Sequence, residues 1–215
     1  MNRTERSELR RLPERGSHDQ KVIHEVLDAA FLAHVGFNAG AQPFVIPMIY
    51  GRDGNTLYLH GSTASRTLLV LTDGAPACVS VTLIDGLVLA RSAFHHSLNY
   101  RSVVAFGTAR PIAAAARKTR AMRVISEHCI AGRWRDVRGP SRAELAATTV
   151  LEFTIEEVSA KTRRGPPTED EADYASTVWA GVVPLVLQPQ TPVSDPRLAA
   201  GIEVPTYLTS GLWSK

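Results

Sequence analysis

A largely antiparallel β-barrel with peripheral helices is the fold class that this 215-residue sequence predicts. Three observations carry it. Six or seven short β-prone runs follow one another, several alternating apolar with polar side chains. Tight-turn signals such as Asn38-Ala39-Gly40, Asp53-Gly54-Asn55 and Asp85-Gly86 punctuate them. Helical periodicity interrupts the series too seldom for the strand–helix alternation of a doubly wound sheet. Hydrophobic residues are 44% and charged residues 21% of the chain, enough for one sizeable core or two small ones.

The first 16 residues read as a charged arm, with Arg3, Arg6, Arg10, Arg11 and Arg15 against Glu5, Glu8 and Glu14. So few apolar side chains favour a mobile or wrapping segment over core. A helix over residues 19–30 places Val22, Val26, Leu27 and Ala30 on one face, with Ser17 or Asp19 as its cap. Residues 31–37 are β-prone. Residues 42–50 then alternate Phe44, Ile46, Met48 and Tyr50 with Val45, Pro47 and Ile49. Proline cannot donate to a ladder, so Pro47 places this strand at an edge or a bulge.

A short strand at 56–60 leads into a helix whose packing face is Leu68, Leu69 and Leu71 and whose stop is Gly74. Residues 76–84 alternate cleanly, Asp85-Gly86 turns, and 87–90 resumes a strand. A polar loop over 91–99 holds Phe94, His95 and His96, and 100–112 is the longest strand expected. A helix over 113–131 puts Met122, Ile125 and Cys129 on one face before Gly132. Ser141-Arg142-Ala143-Glu144 has capping-box spacing. Residues 150–155 and 158–162 are the last two strands, and 165–173 is a Pro- and acid-rich loop. Prolines at 189, 192, 196 and 205 keep the extension over 188–215 irregular. The domain proper is thus expected over 17–187.

Several functions are excluded early. A net charge of +3, with basic residues scattered beyond the arm, makes no case for nucleic acid. No apolar run approaches a membrane span and the start lacks a secretory core, so a cytoplasmic protein is expected. Cys78 and Cys129 read as buried free thiols. Neither a Rossmann glycine fingerprint, a Walker sequence nor a nucleophile elbow is present. Among seven histidines, His95 and His96 are neighbours in an extended segment and point apart, while His24, His34 and His128 lie in apolar-periodic segments. No metal site is expected.

The stretch from Tyr58 to Arg66 carries the functional signal: a strand end, the hydroxyl-rich turn Gly61-Ser62-Thr63-Ala64-Ser65, then a helix opening on Arg66. Free backbone N–H groups, hydroxyls and a guanidinium fork suit a phosphate. An ordinary cap on Ser62 or Thr63 with a solvated Arg66 is the alternative. Asn99-Tyr100-Arg101-Ser102 and Trp179-Ala180-Gly181 are two further clusters. Arg101 either reaches the same phosphate or snorkels from a strand end, and Trp179 either edges an aromatic cofactor or caps the barrel. One phosphorylated aromatic ligand, flavin mononucleotide (FMN), accounts for all three.

In order and spacing, Pro43-Phe44-Val45-Ile46-Pro47-Met48-Ile49-Tyr50, Leu57-Tyr58-Leu59-His60-Gly61, Ser65-Arg66, Asn99-Tyr100-Arg101-Ser102-Val103-Val104-Ala105-Phe106-Gly107 and Val178-Trp179-Ala180-Gly181-Val182-Val183-Pro184-Leu185 are informative. Over residues 17–187 they resemble the pyridoxamine 5′-phosphate oxidase-like split-barrel flavoproteins, including their flavin-nucleotide-binding and nitroimidazole-resistance-type branch. The resemblance implies a split β-barrel homodimer with FMN at the interface. It implies that Val45, Ile46, Pro47 and Met48 border the flavin ring, and that His60, Ser62, Ser65 and Arg66 surround the phosphate chain. Arg101, Ser102 and Trp179 would complete the pocket, some from the partner. Thr67 stands where many relatives carry lysine, and the tail Ser194-Asp195-Pro196-Arg197-Leu198-Ala199 lacks the Arg-x-His of the oxidase proper, which argues against pyridoxamine phosphate oxidation.

An FMN-dependent oxidoreductase acting on a small molecule is therefore the leading expectation, with His60 as candidate substrate-orienting residue. The alternatives are a flavin-binding or storage protein without turnover, and a haem-binding relative using His95 or His60.

Overall fold

Long runs of alternating side chains can bury one face only if the sheet that they form curls over itself. That is the arrangement found. The computed structural model describes residues 4–209; residues 1–3 and 210–215, the ends of the expected arm and extension, lie outside the described residues. Its strands are β1 (Gly16–Ser17), β2 (Leu32–Ala39), β3 (Gln42–Asp53), β4 (Thr56–Ser62), β5 (Ala77–Leu89), β6 (Ser97–Pro111), β7 (Thr148–Arg163) and β8 (Gly181–Pro184). Its α-helices are α1 (Gln20–Ala29), α2 (Arg66–Thr72), α3 (Ala115–Cys129) and α4 (Arg142–Ala147).

All pairings are antiparallel. Six strands follow one another around a ring in the order β2, β3, β4, β7, β6, β5, and β5 pairs with β2 to close it. Val35, Phe37, Tyr50, Leu57, Leu59, Val79, Val81, Val103, Leu151 and Phe153 fill the interior. Each such side chain contributes roughly 1.5–3 kcal/mol by leaving water. Helix α1 closes one end with Ile23, Val26 and Leu27, its Asp19 cap accepting from the Lys21 N–H at 2.8 Å. The buried Tyr50 hydroxyl donates to the Leu27 carbonyl at 2.5 Å, tying that plug to β3.

The ring is incomplete along β3. Residues Tyr50–Asp53 pair with β4, whereas residues 42–49 pair with β2 alone. Pro47 sits opposite His34 in that half-paired stretch, so its missing donor leaves no β4 carbonyl unmatched. The edge placement expected from the sequence is what the register shows.

Other expectations are corrected. Asp85-Gly86 is not a hairpin turn: β5 runs through it as a bulge, because the strand continues along the same partner β6 on both sides. Glycine is required there, since a Cβ on Gly86 would come within 2.9 Å of the Val183 carbonyl of β8. The two strands expected over 150–162 are one, β7, again with an irregularity in its pairing to β6. Leu69 faces solvent while Leu68 and Leu71 are buried. Both cysteines are half-buried rather than buried. The N-terminal arm folds onto its own barrel: Thr4 and Arg6 hold the buried Glu157 carboxylate, and Lys161 donates to the Arg11 carbonyl at 2.7 Å.

Helix α3 lies flat against the outside of β3 because Gly51 leaves no side chain between them. A Cβ on Gly51 would stand 2.6 Å from the Ile125 Cα. Gly51→Ala should therefore push the helix outward and destabilise the fold by about 1–3 kcal/mol, read as a lowered urea midpoint with an unchanged slope. A midpoint equal to the parent protein's would show that the helix rests elsewhere.

Candidate functional site

Strand alternation divides β3 into two faces. Phe44, Ile46 and Met48 turn inward and pack against the core, while Val45, Pro47 and Ile49 face out. Val45 is 65% exposed, unusual for a β-branched side chain in mid-strand. Ile46 and Met48 can consequently border a ligand on the outer face through their backbone only. On β4 the same alternation buries Leu57 and Leu59 and turns Tyr58, His60 and Ser62 the other way.

Beyond β4 the chain makes the turn that was read as a phosphate loop. The Thr63 N–H donates to the Ala147 carbonyl at 3.1 Å, the Ala64 N–H to the Ser62 hydroxyl at 3.2 Å and the Ser65 N–H to the Ser62 carbonyl at 2.9 Å. Those three amides are thus already used. The N-cap of α2 is Ser65, rather than Ser62 or Thr63, and its side chain makes no cap hydrogen bond. Helix α2 has only 7 residues, so its dipole adds little. The strength of this loop lies in Arg66. Its guanidinium is exposed, lies 5.1 Å from the Phe44 ring centroid, and has no carboxylate partner among the described residues. Thr67 is buried, so that position cannot present the charge its lysine counterpart would.

Arg101 differs. Its guanidinium makes a two-point pair with Asp85, at 2.9 and 2.7 Å, and this bond holds the arginine above its ordinary pKa. The fork is therefore satisfied within the chain. The Ser102 hydroxyl donates to the Lys161 carbonyl at 3.3 Å. Trp179 is 63% exposed and stands just before β8.

Register shows which of these residues meet in one chain. Arg66 touches Phe44, which pairs with Phe37, which pairs with Ala77 at the start of β5. Trp179 lies by Gly181, which pairs with Leu89 at the other end of β5. The two ends of that 13-residue strand are about 40 Å apart along its length. Arg101, opposite Leu83, falls between them. Val45, Pro47, His60, Ser62, Ser65 and Arg66 therefore belong to one region of one chain, and Arg101, Ser102 and Trp179 do not.

The structure adds a cavity that the sequence reading did not foresee. Between the outer face of β3 and β4 and helix α3 lies an apolar space of about 290 Å³, lined by Ile49, His60, Met122, Ile125, Ser126, Cys129 and Trp134. Met122, Ile125 and Cys129 were expected to share a helix face, but as ordinary packing. Trp134 had no sequence signal. It is set in place by Glu127, whose carboxylate accepts from the Gly132 and Trp134 N–H groups at 2.7 and 3.0 Å. His60 is the polar member of note. Its Nδ1 is buried without a hydrogen-bond partner, and burial holds the imidazole below its ordinary pKa of 6.5. The ring is neutral at pH 7, with a lone pair available. His95, the other histidine considered for haem, stands instead in a polar setting beside Asp170.

With this geometry in view, the match to known proteins is informative. The chain belongs to the pyridoxamine 5′-phosphate oxidase family, whose model matches residues 19–162. It is similar to the flavocytochrome Anf3 from Azotobacter vinelandii, with 38% identity, 96% of each chain covered and a TM-score of 0.90. It is equally similar in sequence to the FAD and heme binding protein from Mycobacterium smegmatis, at 38% identity and TM-score 0.87, covering 92% of this chain and 97% of that one. A protein described as a 5-nitroimidazole antibiotic resistance protein from Bacteroides thetaiotaomicron shares the fold at 22% identity and TM-score 0.58, over 68% of this chain and 85% of that one. A comparison with curated proteins finds no match. No helix among the described residues is long and apolar enough to cross a membrane.

The half-buried, neutral His60 has a consequence for stability. The unfolded chain takes up the proton near pH 6.5, the folded chain only at lower pH. Its effect is thus nil above pH 6.5 and grows as a destabilisation while pH falls from there through the folded pKa. His60→Phe should lose less stability than the parent protein between pH 7.5 and 5.5, measured as urea midpoints. Equal losses would mean that His60 protonates freely in the fold.

Proposed function

We propose that this protein is a redox protein that binds a flavin nucleotide on the outer face of β3 and a haem in the adjoining cavity. The observation that carries the reading is His60: a neutral imidazole with an unmatched ring nitrogen in an otherwise apolar pocket. A site of that kind suits an iron-bound planar ligand, since neutral imidazole is a common haem-iron ligand and apolar walls accept a macrocycle. Support comes from the two relatives at 38% identity, whose names join a flavin with a haem. When bound, flavin and haem supply hydride and one-electron chemistry, and the protein supplies their placement.

Within that division, the roles of the chain's own residues follow from position. Arg66, with the Ser62 and Ser65 hydroxyls, holds a phosphate. Val45 and Pro47 offer the apolar outer face to the flavin ring, with the backbone of Ile46 and Met48 between them. The walls formed by Met122, Ile125 and Trp134 keep water from His60 and its imidazole unprotonated. FMN was the expectation from the sequence; the name of the Mycobacterium relative favours FAD, whose first phosphate is the same group that Arg66 would meet. A homodimer belongs to the same reading, because Arg101, Ser102 and Trp179 can join this region only from a second copy. The exposed Ile84, Leu87, Leu98 and Val183 give such a copy an apolar surface to cover. A flavin-only oxidoreductase with His60 orienting a small-molecule substrate is the competing reading, favoured by the modest volume of the cavity.

Arg66→Ala should weaken FAD and FMN binding to apo protein roughly ten- to hundredfold, the effect of a charge-assisted bond of about 1.5–3 kcal/mol, and leave riboflavin unaffected. Equal weakening of riboflavin would remove Arg66 from the phosphate. Purified holoprotein should show a Soret band together with a flavin spectrum. His60→Ala should abolish the first and keep the second. A Soret band that survives that change overturns the haem assignment, and a flavin spectrum without any Soret band selects the competing reading.

A further inference from the structure

Away from the cavity, three ligating side chains from distant parts of the sequence converge. One donor atom each from His95, Asp170 and Asp173 lies within 4.8 Å of the other two. His95 ends the short 3₁₀ turn Ala93–His95 in the connection between β5 and β6. Asp170 and Asp173 bracket the start of a second 3₁₀ turn, Glu171–Ala175, in the connection from β7 to β8. Positions three apart in such a turn stack on the same side, which brings the two carboxylates together. The Asp173 N–H donates to the Asp170 carbonyl at 3.0 Å and fixes that turn.

The convergence is set from outside the cluster. Arg91 donates both its backbone N–H and its guanidinium to Glu169, the latter at 2.6 Å, and the Glu169 side chain is only 1% exposed. The same guanidinium lies 5.1 Å from the Tyr174 ring centroid. Glu169 and Tyr174 flank Asp170 and Asp173 in sequence, so Arg91 clamps both ends of the acidic turn against the segment that carries His95. The Phe94 ring meets the imidazole edge-on at 5.2 Å and limits its rotation.

Charge then needs an explanation. Among the described residues, His95 is the one ion-pair partner of either aspartate, and His95 Nε2 stands 3.5 Å from the Asp170 carboxylate. That is long for a direct charged hydrogen bond. It is close to the separation of two donors about a shared cation, since ligands bound at about 2.0–2.2 Å lie roughly 3–3.5 Å apart. We infer that His95, Asp170 and Asp173 form a divalent metal site, for which one imidazole nitrogen and two carboxylate oxygens select a borderline-to-hard first-row cation such as Zn²⁺, with water completing its shell. Bound metal ties the β7–β8 connection to the β5–β6 connection. The β7–β8 connection leads directly to Trp179 and β8, so the ion stiffens the segment that presents the exposed tryptophan. The site is independent of the flavin and haem reading.

Full-length protein stripped with a chelator and titrated with Zn²⁺ against a chromophoric competitor should bind one ion per chain. His95→Ala and Asp173→Asn should each weaken this site about tenfold or more, by comparison with the 10–100-fold losses seen on disturbing metal-site surroundings. Both variants should keep the parent's unfolding midpoint without metal. Zn²⁺ should also slow tryptic cleavage after the exposed Arg164 in the parent protein and not in either variant. Parent and variants binding Zn²⁺ equally, or a parent that takes up none at 0.1 mM-scale concentrations (on the order of the weakest metal modules), overturns the site. If His95→Ala fails to fold, Asp173→Asn, which keeps nearly the same volume, decides the matter alone.

Discussion

Strand β3 changes partner at Tyr50, from β2 to β4, and the rest of the molecule is arranged around that switch. From Tyr50 onward it pairs with β4; before Tyr50 it pairs with β2 alone. Pro47 suits this half-paired stretch, since it has no N–H to give a second neighbour. The consequence is a gap in the barrel wall, next to a row of outward apolar side chains. Helix α3 covers one end of that row, and the loop carrying Arg66 stands by the other. A ligand-sized opening thus follows from where a ladder stops.

Two kinds of electrostatics meet at this opening. Arg66 is exposed and leans on Phe44, so its charge remains available to an anion from solvent. His60 is the reverse case. Burial among Ile49, Met122, Ile125 and Trp134 removes the water that would stabilise an imidazolium, and the ring stays neutral. At the two ends of one apolar row they provide a cationic grip and a neutral nitrogen donor, the combination on which the proposed flavin and haem sites rest.

Arg101 illustrates how tertiary pairing redistributes function. Taken from sequence, it is a second arginine in a polar cluster and a natural companion for Arg66. In the fold it lies across from Leu83, just before the bulge that turns Asp85 toward it, and the two-point bond between them satisfies the fork. Arg91 follows the same logic with Glu169 and, by doing so, organises the acidic turn near His95. In both pairs the arginine acts on the chain itself.

The alternation of Phe44, Ile46, Met48 and Tyr50, the Asp53-Gly54-Asn55 turn, the Asp19 cap and the Ser141–Glu144 capping box were legible directly, because each is a local pattern whose partner lies within a few residues. Barrel class and the edge position of Pro47 followed from such local patterns, and the family from the resemblance of the motifs between Pro43 and Leu185. The bulge at Gly86 was not legible: a turn and a bulge share the same Asp-Gly signal, and what separates them is whether the next strand is a new partner or the old one. The cavity was hidden for a similar reason. Met122, Ile125 and Cys129 announce a buried helix face, but the absence of a side chain at Gly51 decides which strand they face, and Glu127 decides where Trp134 sits. The sequence by itself determined the alternation of β3, the turn and caps at its local signals, and that Arg66 heads a helix after a hydroxyl-rich turn. Only the tertiary structure decided that Arg101 is neutralised, that the His60 Nδ1 is buried and unmatched, and that His95 meets Asp170 and Asp173. Those outcomes depend on contacts between residues distant in sequence, such as the 16 positions between Arg101 and Asp85 and the 75 between His95 and Asp170, which no local periodicity encodes.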